Sequence, residues 1–210
     1  MSIGIILLMI TGLLVYLGAA HRVLDRLYLT DTAALVVIAS MIIGSFIDLT
    51  LSRDPLLTVN LGGALIPLIL SIYVFIKADS KRERLRAIIA TILTAICIYA
   101  LSIVLKDFGH GQDILDPMYI FAISGGLIAY LLGRSRRAAF IAGTLGFLLY
   151  NLFIYYQVLT GEFRGQVRIG GAGVYDSIVI SGVLALLLAE LLGESLERLS
   201  GGPFGKGGEE

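Results

Sequence analysis

Seven long apolar runs, each about as long as a bilayer is thick, constrain this chain more than any motif in it. They lie near residues 3–20, 32–51, 56–77, 86–105, 118–133, 138–158 and 173–193. At ~1.5 Å of rise per residue, such runs cross a ~30 Å hydrocarbon core as helices. Composition agrees: 57% of the residues are hydrophobic and 15% charged, against about a quarter charged in soluble domains. The expectation is an all-α membrane protein of seven transmembrane helices over 1–193, with a flexible cytoplasmic tail over 194–210. Its first partner is the lipid bilayer, in the cell membrane. The formal net charge is zero, so nothing points to nucleic acid. Cys97 is the only cysteine and sits inside an apolar run, which excludes an intrachain disulfide and reads as a small core residue.

The basic residues set an orientation. The first run has no basic residue before it, but His21, Arg22 and Arg26 follow it. That pattern fits a spanning helix with its N-terminus outside rather than a cleaved signal peptide. Threading the chain from there puts twelve Lys and Arg on the cytoplasmic side and four outside. The twelve include Lys77, Lys81, Arg82, Arg84, Arg86, Arg136 and Arg137; the four are Arg53, Lys106, Arg164 and Arg168. The bias is the positive-inside pattern, with the C-terminus inside.

Within this frame the seventh run stands out. Gly173, Ser177, Ser181, Ala185, Ala189 and Gly193 follow one another at i+4. Residues four apart share a helix face, and small ones let another backbone approach closely. Asp176 lies beside that row. A carboxylate inside an apolar run costs a few kcal/mol even on lenient insertion scales, so it marks a candidate site. Depth assignment brings other polar groups to the same outer level: Asp48 in the second run, Asn60 in the third and Asn151 in the sixth. Asp48 falls on one i+4 row with Ser40 and Gly44 if the second run is helical throughout. Pro67 frees a carbonyl near Gly63, so the third helix is expected to be kinked or broken. The candidate binding set is therefore Asp176, Asn60, Asn151 and Asp48, with the backbones of Gly62, Gly63, Gly171 and Gly173. The outer loop KDFGHGQDILDP offers Asp107, His110, Asp113 and Asp116, oxygen ligands and one imidazole that could hold a divalent cation; their spacing is not diagnostic, a solvated acidic loop is the simpler reading, and no cofactor motif occurs.

Val59–Ala64 (VNLGGA) and Val167–Ala172 (VRIGGA) match in four identities. Both lie where an outer segment leads into a helix. They suggest parallel repeats, three helices on each side of a linking fourth, a plan known among transporters.

GSFIDLTL, VNLGGALIPLILSIY, GTLGFLL and IGGAGVYDSIVISGVLALLLA together resemble a domain-of-unknown-function family of prokaryotic multi-pass membrane proteins, number sixteen-fourteen. The resemblance covers Gly44 to Ala189. It implies an acidic residue soon after GTLG, where this chain has Asn151 in LLYNLF, and an asparagine where it has Asp48. It implies no activity. YN followed by GAGVYD is also similar to the YD and GxGD motifs of presenilin-type intramembrane aspartyl proteases, with Asn151 in place of the first aspartate. In GxGD the aspartate directly follows the second glycine, whereas Asp176 lies three residues after Gly173. The similarity implies a peptidase with two carboxylates sharing one proton, Asp176 being one and Asp48 the residue available to supply the other. Three functions stay open: transport or conduction of a small solute or ion, the aspartyl peptidase acting on a membrane peptide, and a non-catalytic binding or assembly protein, an oligomer included.

Overall fold

A computed structural model describes residues 27–78, 80–106, 117–133, 135–163, 165–173 and 176–199. The first apolar run and the outer loop from Asp107 to Asp116 lie outside the described residues. Six α-helices and three short strands are described. The helices are α1 (Asp31–Gly44), α2 (Ile66–Ile76), α3 (Lys81–Lys106), α4 (Pro117–Gly133), α5 (Arg136–Leu159) and α6 (Ser177–Leu199). The strands are β1 (Asp48–Arg53), β2 (Leu56–Asn60) and β3 (Val167–Ile169).

The chain is thus mostly helical, with one correction to the all-α expectation. The second run stops being helical at Gly44, and the third begins as a strand. Asp48 therefore does not continue the helical row of Ser40 and Gly44. β1 and β2 form an antiparallel hairpin in which Asp48 pairs with Asn60 and Arg53 with Leu56. The physical cause is visible in the residues: Ile47, Leu49 and Leu51 alternate with Asp48, Thr50 and Ser52, a period of two rather than 3.6. Arg53–Asp54–Pro55 then turns the chain, and Pro55 cannot donate to the ladder of a continuing strand.

α3 and α5 run parallel. Near their starts, Glu83 bridges to Arg137 at 3.4 Å and accepts from the Ser135 hydroxyl at 3.2 Å. Further along, the Tyr99 and Phe153 rings meet edge to face at 5.0 Å. α6 runs the other way, because Ile178 packs with Phe147 while Ala185 and Ala189 pack with Ala142 and Ala139. α2 also opposes α5, with Ala64 in the Phe147 cluster and Val74 in the Ile141 cluster. The small-residue row of the seventh run is an interface: Ser181 and Ala185 are both 0% exposed. A Cβ on Gly143 would sit 2.8 Å from the Ser181 carbonyl oxygen, and one on Gly126 3.0 Å from Leu184. Such spacing lets three backbones pack where larger side chains would separate them.

By length and apolarity, α3 over Lys81–Val104 and α5 over Arg136–Leu159 are long enough to cross a membrane. The other apolar helices are shorter: Thr32–Gly44, Leu61–Ile76, Ile120–Gly133 and Ser177–Ala189. Cys97, expected in the core, is exposed instead. A helix at the rim of a bundle buries one face only, and in an all-apolar run the hydropathy pattern cannot reveal which.

Candidate functional site

The hairpin and the turn after β3 meet at one end of the bundle. β2 is the middle strand, antiparallel to β1 and parallel to β3, with Leu57 paired to Val167 and Val59 to Ile169. The two stretches that share the VxxGGA pattern are therefore neighbours in space. Each leads through glycines into a helix of the same direction.

Asn60 organises the first lead-in. It is 1% exposed and uses both ends of its amide. Its Nδ2 donates to the Ser45 carbonyl at 2.9 Å and to Asp48 Oδ1 at 2.8 Å. Its Oδ1 accepts from the Gly63 amide at 2.8 Å. That last bond caps a single π-helical turn, Leu61–Leu65, which precedes α2. Pro67 stands in the first turn of α2, where a missing N–H costs least. The expected break in the third run is thus an Asn-capped π turn, with Pro67 just inside the regular helix.

The glycines close the site by backbone contact. A Cβ on Gly62 would strike the Met41 carbonyl and come within 2.5 Å of the Ser45 amide. A Cβ on Gly63 would strike the Gly170 carbonyl and lie 2.5 Å from that of Gly173. Gly170 and Gly173 have φ of +71° and +61°, the left-handed region that glycine enters without strain. Gly173 is buried, with its Cβ position 2.6 Å from Ser45 Cβ. Gly171, in contrast, is exposed and lies against Arg168.

Asp176 sits one residue outside α6 and is half-buried. Its Oδ1 accepts from the Ile178 amide at 3.1 Å and its Oδ2 from the Ala172 amide at 3.4 Å. Its own amide donates to the Gly173 carbonyl at 3.0 Å. The carboxylate caps the helix and closes the glycine turn at once. Burial pushes its carboxyl up from 3.8 to about 6, while the hydrogen bonds from Ile178 and Ala172 oppose the rise. Desolvation outweighs the capping bonds here, which the sequence alone leaves undecided.

Gly62, Gly173 and the Asn60 amide thus meet at Ser45 at one end of the helices, with Asp48 bonded to Asn60, Gly63 against Gly173, and Asp176 on the Gly173 carbonyl. Asp48 and Asn60 belong to strands and Asp176 to a turn, so the site lies at the helix ends rather than within the helices. Asn151 does not join them; its Nδ2 donates to the Phe147 carbonyl of its own helix at 2.9 Å. Asp48 is exposed and bonded to Asn60, and no hydrogen bond links it to Asp176. Ser45 and Gly170 are central and were not singled out from sequence. The Gly–Ser step where α1 ends and the first glycine of VRIGGAG were the available signals.

Residues 30–188 match the model of a family described as protein of unknown function, DUF1614. The chain belongs to the DUF1614 family. No curated protein and no solved structure matches it. The match spans every site residue above, from Ser45 to Asp176.

Proposed function

We propose that this DUF1614 protein is a multi-pass integral membrane protein that transports or conducts a small solute or ion. Its site is the outer-end cluster of Asp176, Asn60 and Asp48 on the glycine backbones. The single observation carrying this reading is a half-buried carboxylate, raised to about 6, at the crossing of two glycine-bonded helix lead-ins. A group that titrates near neutrality in a confined place is matched to gaining and losing charge. Broken helix ends are where transporters bind their cargo.

Charge placement supports the orientation. The Glu83–Arg137 bridge ties the start of α3 to that of α5, and Arg84 donates to the Ile76 and Ala78 carbonyls at the end of α2. Arg137 also stacks over the Tyr28 ring at 4.2 Å. This basic end is the cytoplasmic one by the positive-inside rule, which puts the Asp176 cluster outside.

Two experiments test the reading. In a Cys97→Ala background, single cysteines at Thr50 and Gly161 are expected to react with an impermeant reagent from outside, and one at Ser80 only after permeabilisation. Labelling of Ser80 from outside overturns the orientation. Purified protein in liposomes, screened with ions and small solutes, is expected to give a flux that Asp176→Asn abolishes. A full flux in a folded Asp176→Asn protein removes Asp176 from the site.

A further inference from the structure

α3 and α5 together carry a second feature. Ile92, Ala95 and Ile96 of α3 and Leu149, Tyr150 and Phe153 of α5 line an apolar groove of 340 Å³. That volume falls in the range of about 300–1,000 Å³ typical of small-molecule sites. Ile96 is 56% exposed and Phe153 44%, so the groove opens away from the bundle. Among the described residues α3 and α5 are the helices long enough to span, so what faces this groove is hydrocarbon.

The groove ends at Tyr99, and there the chemistry changes. Gln157, one turn beyond Phe153, donates from Nε2 to the Tyr99 phenol oxygen at 3.2 Å and towards Glu162 Oε2 at 3.4 Å. Gln157 is 6% exposed, and its Oε1 has no hydrogen-bond partner. A buried acceptor without a donor is costly, and few native structures keep one without a reason. Through Gln157 the end of the groove is linked to the exposed Glu162 carboxylate. A carboxylate there calls for a positive donor.

We infer that this groove holds an acyl chain of a membrane lipid whose headgroup carries a protonated amine, seated at Tyr99 and Glu162. The inference rests on reading α3 and α5 as spans, and not on the Asp176 site. An anionic headgroup without an amine meets only repulsion from the Glu162 carboxylate, so selectivity follows from charge.

Lipid retention on the full-length protein is the test. Protein is extracted in mild detergent from vesicles of equimolar phosphatidylethanolamine and phosphatidylglycerol, and bound lipid is counted by native mass spectrometry. Phosphatidylethanolamine is expected to be retained over phosphatidylglycerol by about tenfold, the scale of one charge-assisted hydrogen bond. Ala95→Phe fills the groove and is expected to remove that retention with the lipid-free unfolding temperature unchanged. Glu162→Gln, at an exposed position, is expected to bring the two lipids close to parity. If Ala95→Phe fails to fold, Ala95→Met makes the same test with a smaller, flexible filler. Equal retention of both lipids by the wild type, or retention unchanged by filling, overturns the inference. Release of the chain from vesicles by alkaline carbonate is a separate failure, of the spanning reading itself.

Discussion

Asp176→Asn separates a functional carboxylate from a merely structural one. In the folded protein this carboxyl is raised from 3.8 to about 6. Two units at ~1.4 kcal/mol each amount to about 3 kcal/mol. Part of the residue reaches solvent, so screening makes this an upper bound. The native state holds the proton more tightly than the unfolded chain. Its contribution to stability is therefore complete below the unfolded value near 4 and is lost as pH rises through about 6. Asparagine cannot ionise, yet it serves as a helix cap as well as aspartate does. The variant is expected to unfold at nearly the wild-type temperature at pH 4. At pH 7.5 it is expected to be more stable, by up to about 3 kcal/mol, since the wild type then carries a buried charge. Thermal unfolding followed by circular dichroism in mild detergent, across pH 4 to 7.5, measures the difference. A gap between the two proteins that does not change with pH would refute the burial argument. A variant destabilised at pH 7.5 would show that the carboxylate serves the helix cap first. Greater stability together with lost flux is the combination expected of a site residue.

Gly63→Ala is expected to prevent folding, because its Cβ collides with the Gly170 and Gly173 carbonyls, whereas Gly165→Ala, with nothing within 4 Å, is expected to be neutral in folded yield. Asn60→Ala removes three buried or part-buried hydrogen bonds and is expected to cost about 2–4 kcal/mol in denaturant unfolding. Asn60→Asp is expected to be worse at pH 7, because a second carboxylate then faces Asp48 and two donors are lost. Ser181→Leu and Ala185→Leu are expected to cost about 1–3 kcal/mol each by overpacking the α4–α5–α6 seam. Ile180→Phe and Leu187→Phe, which are only partly buried, are expected to cost less in the same unfolding series, and equal losses at all four would remove the seam argument.

The sequence by itself determined that the chain is predominantly helical and which family it belongs to. It also determined the inner face of α6 and pointed to Asn60 and its glycines as the place where the third run breaks. These follow from local signals: apolar length, i+4 spacing, and residue types with special backbone geometry. Over residues 48–60 the same signals were present but outweighed. The alternation of Ile47, Leu49 and Leu51 and the Asp54–Pro55 turn mark a hairpin, yet at this hydropathy a strand and a helix end look alike. Tertiary structure decided the rest. It separated Asn151, bonded within its own helix, from the Asp176 cluster, because depth along a helix says nothing about which way a side chain faces. It turned Cys97 outward for the same reason. It placed Ser45 at the crossing of two distant glycine segments, a meeting that depends on β2 and β3 pairing across more than a hundred residues of chain. And it fixed the balance at Asp176, since desolvation and hydrogen bonding depend on neighbours that only the folded chain brings together.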